Sequence, residues 1–279
     1  MNAYLRLLRP KHCIKNILVA LPLVFSGQLF RPVPLGRTLC AIAAFCALAS
    51  IIYIINDIRD ADRDRQHPTK CRRPIASGAV PVPHAAAEAA ALAVLLAGLG
   101  LLGRFPPEGW LCLGAYFALN LGYSFGLKNV PILDIAILVS GFLLRVLFGS
   151  AVTGIEASSW LCLTVTAVSF YMGLGKRRGE LRLSQDSARK VLRYYSYEFL
   201  TRNMQMCLTL SIVFYSLWSV DRVAGLVWTV PLVICICLRY SMTVEGSSDG
   251  DPVEVICQDK VLMLLAAVYA VITLALLYL

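Results

Sequence analysis

The sequence lacks the patterns that mark several common classes of enzyme. It has three histidines among 279 residues, and none of them stands at the spacing of paired metal ligands. Its ten cysteines include no C-x-x-C pair, and most lie in apolar stretches, where cysteine acts as a small hydrophobic residue. No G-x-x-x-x-G-K-S/T loop occurs, so the usual phosphate cradle of an ATP-driven pump is missing. These absences argue against a zinc site, a redox pair and a P-loop.

Charged residues are also scarce. They make up 15% of the chain, hydrophobic residues make up 58%, and the mean hydropathy is +0.69. A soluble domain of this length cannot bury so much apolar side chain, so the composition predicts an all-α integral membrane protein. Windows of about 20 residues give nine candidate transmembrane helices. They cover residues 14–30, 36–56, 85–104, 109–127, 131–153, 159–174, 205–220, 223–240 and 260–279.

The net charge of +9 is concentrated on one side of this predicted bundle. We assign the loops alternately to the two sides of the membrane. The basic residues of the sparsely charged side are then only Arg31, Arg37, Arg104 and Arg222. The positive-inside rule then predicts a cytoplasmic N-terminus, and it explains the basic residues without nucleic acid as a partner. We therefore expect residues 1–279 to form a single transmembrane domain in a bacterial-type plasma membrane. The loops expected to carry the active site face the cytoplasm and cover residues 57–84, 126–131, 175–204 and 239–259.

An acidic run, NDIRDADRD at residues 56–64, stands at the polar end of the second predicted span. At about 100° per helical residue, one face of this segment carries Asn56, Asp57, Asp60 and Asp64. Asp62 points away from that face, and a solvated helix end with charge pairs to neighbouring arginines would explain Asp62 alone. Oxygen-only ligands suit Mg²⁺, which typically takes a few carboxylates and leaves positions for phosphate oxygens. We therefore predict a magnesium site that holds a diphosphate beside the membrane.

Basic residues in three places either bind phosphate or act only as topology signals. They are Lys11 and Lys15 before the first span, Lys70, Arg72 and Arg73 after the acidic run, and Lys176, Arg177 and Arg178 after the sixth span. Glu180 follows the last group and is a candidate partner for an arginine or a ribose hydroxyl. Glycines at positions 175 and 179 permit close approach of the backbone to a phosphate. Further along this connector, Tyr194, Tyr195 and Tyr197 are typical of a membrane interface.

Arg145 lies in the middle of the fifth predicted span, too deep to reach the interface easily. It has two interpretations. It either holds a ligand phosphate, or it pairs with a buried acid or carbonyl as a structural strut. We favour the ligand, because Arg145 falls on the same helical face as Asp134.

Four stretches of the chain resemble the UbiA superfamily of intramembrane prenyltransferases. The N-D-x-x-D-x-x-x-D pattern of the acidic run resembles the first aspartate-rich motif of this superfamily. The longer stretches resemble its decaprenyl-phosphate phosphoribosyltransferase branch most closely. They are LRPKHCIKNILVALPLVFSG (8–27), NDIRDADRDRQHPTKCRRPIASG (56–78), YSFGLKNVPILDIAILVSGFLLR (123–145) and GKRRGEL (175–181).

The resemblance implies nine transmembrane helices around a central cavity, with two aspartate motifs that hold Mg²⁺ over a diphosphate. The second motif, usually D-x-x-x-D, retains only Asp134 here, because position 138 is Leu138. Tyr123 and Lys128 precede Asp134, where the superfamily places a tyrosine and a lysine that contact the diphosphate. The residues expected to be catalytic are Asp57, Asp60 and Asp134.

The branch implies transfer of 5-phosphoribose from phosphoribosyl diphosphate to a polyprenyl phosphate such as decaprenyl phosphate, with Mg²⁺ as cofactor and diphosphate as a product. The acceptor phosphate is already ionised near neutral pH, so it needs alignment more than a general base. The lack of an obvious catalytic histidine is consistent with this chemistry. Membrane lipid is the other expected partner, and a homo-oligomer is compatible with the sequence.

Two other functions compete with this interpretation. A UbiA-type prenyltransferase would use the first motif on a prenyl diphosphate and an aromatic or other small acceptor, but the reduced second motif and the extra basic loop argue against it. A transporter typically places its site near mid-membrane between internal repeats. The sequence shows no convincing repeat, and its carboxylates cluster at one face of the predicted membrane.

Overall fold

Helices form all the regular secondary structure in the part of the chain that the computed structural model describes, which is residues 3–67, 69–183, 190–245, 255 and 259–279. In chain order the α-helices are α1 (Ala3–Leu7), α2 (Leu21–Phe25), α3 (Pro32–Arg59), α4 (Ala61–Arg65), α5 (Val82–Leu102), α6 (Pro107–Phe125), α7 (Leu133–Thr153), α8 (Ser159–Leu183), α9 (Tyr197–Arg222), α10 (Val230–Glu245) and α11 (Lys260–Tyr278). Short 3-10 helices cover Pro10–Ala20, Lys70–Arg72, Leu127–Asn129, Lys190–Tyr194 and Ala224–Thr229. The all-α prediction is therefore confirmed.

Five helical segments among the described residues are long and apolar enough to cross a membrane. They are Pro32–Arg59, Val82–Leu102, Leu133–Thr153, Gly225–Glu245 and Lys260–Tyr278. The first predicted span is not one continuous α-helix, because the 3-10 helix Pro10–Ala20 precedes α2. Pro22 lies near the start of α2, where its missing N–H breaks no helical hydrogen bond. These features establish a multi-pass helical membrane protein, and they leave the count of nine spans unconfirmed.

Several helices continue into segments that the sequence predicts as loops. Helix α3 ends at Arg59, helix α8 at Leu183 and helix α10 at Glu245. A hydropathy window ends where polar residues begin, so it sets the end of a predicted span too early for the helix. The backbone hydrogen bonds of the helix continue into the polar residues that follow. The predicted loop 175–204 is therefore largely helical in its described part.

The chain forms two compact units. The first contains Met1–Ser124 and Leu144–Glu156, and the second contains Phe125–Leu143 and Ala157–Leu279. Helix α7 therefore contributes its N-terminal half to the second unit and its C-terminal half to the first. The expectation of a single transmembrane domain stays a prediction.

Among the five candidate spans, α3 has the most buried apolar stretch, and it packs against α5 and the 3-10 helix Pro10–Ala20. The core of the first unit contains the aromatic ring of Phe45, which packs at tilted angles against the rings of Tyr116 and Phe148. The approach of α7 to the 3-10 helix is so close that a Cβ atom at Gly149 would collide with the Val19 carbonyl oxygen. Only glycine fits at position 149 without moving the backbone.

In the second unit, α8 packs along α9, and α10 packs against α11. An ion pair joins α10 to the start of α11, where Arg239 Nε lies 2.7 Å from Asp259 Oδ2. The Asp259 carboxylate also accepts hydrogen bonds from the Thr243 hydroxyl and from the amides of Val261 and Leu262, so it caps α11. The hydrogen bond from Arg239, followed by those from Thr243 and Leu262, holds the pKa of Asp259 well below its usual range.

Candidate active site

Two carboxylates of the acidic run meet at one guanidinium in the first unit. Asp57 lies in the last turn of α3 and Asp64 in α4, and both are buried. Arg73 Nη1 donates to Asp57 Oδ1 at 3.1 Å and to Asp64 Oδ2 at 2.7 Å. Asp57 and Asp64 therefore share a face, and a cation already lies between them.

Arg9, which the sequence analysis did not include among the site residues, is a second cation on Asp57. Its Nη2 donates to Asp57 Oδ1 at 2.6 Å, and its guanidinium lies over the Tyr53 ring, 4.7 Å from the centroid. Arg9 also has a left-handed backbone with φ of 52°. Such a conformation is unusual outside glycine, so the chain turns sharply here just before the 3-10 helix Pro10–Ala20. In the sequence, Arg9 stands in the basic N-terminal segment and within the stretch 8–27 that resembles the superfamily.

A cavity of about 270 Å³ opens beside Asp57, and we call it the basic cavity. Its lining consists of Arg6, Arg9, His12, Asp57, Thr69, Arg72, Arg73 and Pro74. Four guanidinium groups face a single carboxylate, so the cavity carries net positive charge and favours an anion. The sequence predicted Arg72 and Arg73 here, but it missed Arg6 and His12 as well as Arg9.

The other members of the acidic run have different partners. The Asn56 side-chain oxygen accepts a hydrogen bond of 2.6 Å from the Ser124 hydroxyl. Asp60 lies at the junction of α3 and α4, with Oδ1 3.5 Å from Arg59 Nε. Asp62 is exposed and pairs with Arg65 at 2.6 Å. The four oxygen-bearing side chains that were predicted to share one face therefore do not converge on one point, because they bind separate neighbours.

The fit of these residues to Mg²⁺ is partial. Within the described ranges, no group of three or more Asp, Glu, His or Cys side chains converges on one point. Asp57 and Asp64 nevertheless converge on one cation, Arg73, through their oxygens. Mg²⁺ commonly takes one or two protein carboxylates and fills its remaining positions with water and substrate phosphate. Asp57 and Asp64 meet that requirement, whereas the four-ligand site of the sequence analysis is not assembled.

A second acidic centre lies in the second unit, around Asp134. This side chain is fully buried in the first turn of α7. Its Oδ2 accepts a hydrogen bond from Arg177 Nε at 2.6 Å, and its Oδ1 accepts one from the Tyr195 hydroxyl at 2.6 Å. Arg177 is also fully buried and donates to Glu180 Oε2 at 2.8 Å. Both oxygens of the retained second-motif aspartate are thus bound to protein groups.

Tyr195 belongs to this centre and not to the exposed interface that the sequence predicted. It is buried, whereas Tyr194 and Tyr197 are 65% and 48% exposed. Burial, together with the hydrogen bond that its hydroxyl donates to Asp134, raises the pKa of Tyr195 to about 12. A tyrosine with this pKa keeps its proton at neutral pH, so it acts as a hydrogen-bond donor. The local sequence contains three similar tyrosines and gave no signal to single out Tyr195.

The segment 175–180 is helical, which corrects the expectation of a glycine-flanked loop. It lies within α8, where Gly175 faces Met204 of α9. Arg178 is buried, with its guanidinium 5.5 Å from the Tyr197 ring centroid and Nη1 3.4 Å from the Thr201 hydroxyl. Lys176 is half-buried on the same helix. The segment stays helical while Arg177 reaches Asp134 on α7 and Arg178 reaches Thr201 on α9.

Arg145 lies in the half of α7 that belongs to the first unit, and it is buried among protein partners. Its Nε donates to the Asn16 side-chain oxygen at 2.8 Å, and its Nη2 donates to the Tyr116 hydroxyl at 3.1 Å. The guanidinium also lies over the Phe45 ring, 4.6 Å from the centroid. These contacts are those of the strut interpretation, with the amide carbonyl oxygen of Asn16 and the phenol of Tyr116 as the partners.

The remaining predicted residues do not line the basic cavity. Lys11 is exposed and Lys15 half-buried on the 3-10 helix Pro10–Ala20, and Lys70 is exposed at the start of the 3-10 helix Lys70–Arg72. Tyr123 is half-buried near the end of α6, and Lys128 is half-buried in the 3-10 helix Leu127–Asn129.

Comparison with known proteins identifies relatives along nearly the whole chain. The sequence profile of the UbiA prenyltransferase family matches residues 17–249. A Corynebacterium glutamicum protein named decaprenyl-phosphate phosphoribosyltransferase is 39% identical over 278 residues, which cover 95% of this chain and 83% of the relative. A Mycobacterium tuberculosis protein of the same name is 36% identical over 272 residues, covering 93% of this chain and 89% of the relative.

Solved structures show the same fold. A UbiA homolog from Archaeoglobus fulgidus bound to GPP and Mg²⁺ has a TM-score of 0.74 and 16% identity, covering 99% of each chain. The homolog from that organism bound to Cd²⁺ has a TM-score of 0.71 and 15% identity, again covering 99% of each chain. At such low identity the likeness establishes the fold and carries no residue roles.

Proposed function

Because the chain belongs to the UbiA prenyltransferase family, we propose that it is an intramembrane transferase that moves 5-phosphoribose from phosphoribosyl diphosphate to a polyprenyl phosphate. The observation that carries this proposal is the 39% identity, across 95% of the chain, to a relative named decaprenyl-phosphate phosphoribosyltransferase. Decaprenyl phosphate, named in that relative, is the acceptor to test first.

The basic cavity supports a phosphate-rich donor. Phosphoribosyl diphosphate carries phosphate groups at both ends of the ribose, so it needs several cations. Arg6, Arg9, Arg72 and Arg73 supply four guanidinium groups around one space. Guanidinium groups bind phosphate through paired hydrogen bonds, which fix orientation as well as charge. We assign donor binding to this cavity.

Mg²⁺ is the proposed cofactor, with Asp57 and Asp64 as its protein ligands. When bound, the ion would neutralise charge on the diphosphate leaving group. Arg73 bridges these carboxylates and also lines the basic cavity, so its guanidinium can exchange its carboxylate partners for a phosphate. Asn56 precedes Asp57, and Asp60 follows it by three residues, and we propose that both support this site without direct ligation.

The second acidic centre and the outlying cations have supporting roles in this proposal. We propose that Asp134 anchors the start of α7, because both of its oxygens are already bound by Arg177 and Tyr195. The superfamily resemblance alone supports Tyr123 and Lys128 as contacts of a diphosphate, since neither lines the basic cavity. We propose that the exposed or half-buried lysines attract anionic substrates to the membrane surface, and these are Lys11, Lys15, Lys70 and Lys176.

The proposed reaction is a substitution at the anomeric carbon. An oxygen of the polyprenyl phosphate forms a bond to C1 of the ribose, and the bond from C1 to the diphosphate oxygen breaks. Diphosphate leaves with the electron pair, and the product is a phosphodiester that joins lipid and sugar. The acceptor oxygen is already ionised, so the protein must hold the donor and exclude water more than it must remove a proton.

The proposed membrane arrangement has nine spans, with the N-terminus and the active-site loops at the cytoplasmic face of a plasma membrane. The positive-inside distribution of charge supports this orientation. It would give the water-soluble donor access from the cytoplasm and the polyprenyl phosphate access from the bilayer.

The direct test uses purified protein in detergent with decaprenyl phosphate, Mg²⁺ and phosphoribosyl diphosphate labelled in the ribose. The expected result is label in the organic phase that depends on both protein and acceptor, with release of one diphosphate per labelled lipid. Asp57→Asn should abolish the transfer, whereas Asp62→Asn, which alters an exposed side chain of the same acidic run, should retain most of it. If folded protein forms no labelled lipid in this assay, the proposed function is refuted.

A second function, transfer of a prenyl group to an aromatic or other small acceptor, has one observation in its favour. Similarly folded UbiA homologs were solved bound to GPP and to DMAPP, which are prenyl diphosphates. Replacing the donor with geranyl diphosphate in a thermal-shift assay distinguishes the two functions. Stabilisation by geranyl diphosphate, with none from phosphoribosyl diphosphate, would favour the prenyltransferase.

A further inference from the structure

Two of the side chains that line the basic cavity pack against one aromatic ring behind them. That ring belongs to Tyr53, which is half-buried in α3 and does not line the cavity. The Arg9 guanidinium lies over the ring, 4.7 Å from its centroid. The His12 ring packs against it at 5.6 Å between centroids, with the two planes 48° apart. Tyr53 is therefore one residue removed from the space that we assign to the donor.

Helical spacing places the Tyr53 ring beside the carboxylate of Asp57. The two residues are four apart in α3, so their side chains lie on the same face, one turn from each other. Arg9 contacts both of them, because its Nη2 donates to Asp57 Oδ1 at 2.6 Å while its guanidinium lies over the ring. One face of α3 thus holds the Arg9 head group through a charge-assisted hydrogen bond and a cation–π contact.

The Arg9 side chain has hydrogen-bond donors left for a ligand. A guanidinium group carries five N–H donors, and Asp57 is the one acceptor that this group reaches among the described residues. The side chain is 24% exposed and lines the cavity, so its other donors are accessible from that space. Arg9 lies between α1, which ends at Leu7, and the 3-10 helix that begins at Pro10, so its side-chain contacts must fix its position. Fixing the head group in advance lowers the entropy that a ligand would lose by ordering it.

We propose that Tyr53 is a positioning residue for the donor: its ring holds the Arg9 guanidinium in the orientation in which the remaining N–H groups meet a donor phosphate. The proposal rests on the proposed function, because it takes phosphoribosyl diphosphate as the occupant of the basic cavity. In this scheme the donor touches Arg9, and Tyr53 acts on the donor only through Arg9. The aromatic ring supplies the effect, so the Tyr53 hydroxyl is dispensable.

The primary test measures the Kd of phosphoribosyl diphosphate by titration calorimetry, with purified protein in detergent and Mg²⁺ but no acceptor. Tyr53→Leu removes the ring, and we expect the Kd to rise about fivefold to tenfold, the size of a partly buried cation–π contact. Tyr53→Phe keeps the ring and should stay within about twofold of wild type. Tyr197→Leu is the matched control, because it removes a ring that lies 5.5 Å from the Arg178 guanidinium in the second unit, and it should leave the Kd unchanged.

A double-mutant cycle with Arg9 separates positioning from a general loss of packing. Arg9→Gln alone should raise the Kd by about tenfold or more, because it removes a charged hydrogen-bond donor. In the Arg9→Gln background, Tyr53→Leu should then change the Kd by less than about twofold, because the guanidinium through which the ring acts is gone. A loss of packing in α3 would instead have its full effect in both backgrounds. If Tyr53→Leu folds poorly, Tyr53→Met replaces it, since methionine fills irregular space and has no ring.

Three results would overturn the proposal. They are an unchanged Kd in Tyr53→Leu, an equal loss of affinity in Tyr53→Phe and Tyr53→Leu, and additive effects of Tyr53→Leu and Arg9→Gln. Failure of the proposed function gives a different result, since wild-type protein would then bind no phosphoribosyl diphosphate. In that case the same cycle is measured with inorganic diphosphate, the anion that both candidate donors share. No binding of diphosphate by the wild type, or an unchanged Kd for it in Tyr53→Leu, would refute the positioning role as well.

Discussion

The most informative single substitution is Arg73→Gln, which removes the cation between Asp57 and Asp64. Asp57 keeps Arg9 as a partner at 2.6 Å, but Asp64 loses the one ion-pair partner that it has among the described residues. The Asp57 and Asp64 side chains are 3% and 5% exposed, so water can solvate neither well. The variant therefore contains two buried carboxylates with one cation instead of two.

The size of the effect follows from burial and from the partners that remain. Removing one member of a buried ion pair typically costs about 3–5 kcal/mol of unfolding free energy. Arg73 is 30% exposed and Asp57 retains Arg9, so we expect a smaller loss, about 2–3 kcal/mol. For a protein of this size, that loss corresponds to a melting temperature lower by roughly 5–10 °C without a divalent ion.

The assay compares melting temperatures with EDTA and with millimolar Mg²⁺. If Asp57 and Asp64 form the metal site, Mg²⁺ should restore much of the stability of Arg73→Gln and should raise the wild-type melting temperature less, because Arg73 competes with the ion there. Arg65→Gln is the matched control, since it breaks a 2.6 Å ion pair at an exposed site and should change the melting temperature little. Equal responses to Mg²⁺ in the wild type and in both variants would refute the two-carboxylate metal site.

Three further predictions concern other parts of the molecule. Asp57→Asn should lower kcat/KM by at least about 100-fold, whereas Asp62→Asn should stay within about threefold of wild type, as measured by labelled-lipid formation. Arg145→Gln should lower the melting temperature and the folded yield with little change in the specific activity of the folded fraction, because Arg145 contacts protein groups; a normal melting temperature with lost activity would instead restore the ligand interpretation. Asp259 has a lowered pKa in the folded state, so its stabilising effect is complete above the unfolded pKa of about 4 and is lost as pH falls further. The melting-temperature difference between wild type and Asp259→Asn should therefore be constant above about pH 5 and shrink in more acidic buffer, and a constant difference throughout would contradict this.

The sequence alone was sufficient to predict properties that depend on residues close together in the chain. A high content of apolar residues in long runs requires a lipid solvent and helical backbone, because hydrogen bonds must be satisfied within each segment. The spacing of the acids within one short segment predicted that Asp57 and Asp64 would point to the same side of the chain. The motif around them also identified the family, since the pattern of acids is contained in one short segment.

The partners of those acids depend on packing between distant segments, and the sequence could not identify them. Arg9 reaches Asp57 across 48 residues, and Tyr195 reaches Asp134 across 61 residues. Three tyrosines close together in sequence look alike until the fold buries one of them. Likewise, Arg177 was expected in a phosphate-binding loop, but a buried carboxylate from α7 neutralises it within a helix. Local pattern determined which residues are charged or apolar and which face they share, whereas tertiary structure decided which charges meet, because an ion pair forms only where folding brings both groups out of water at the same place.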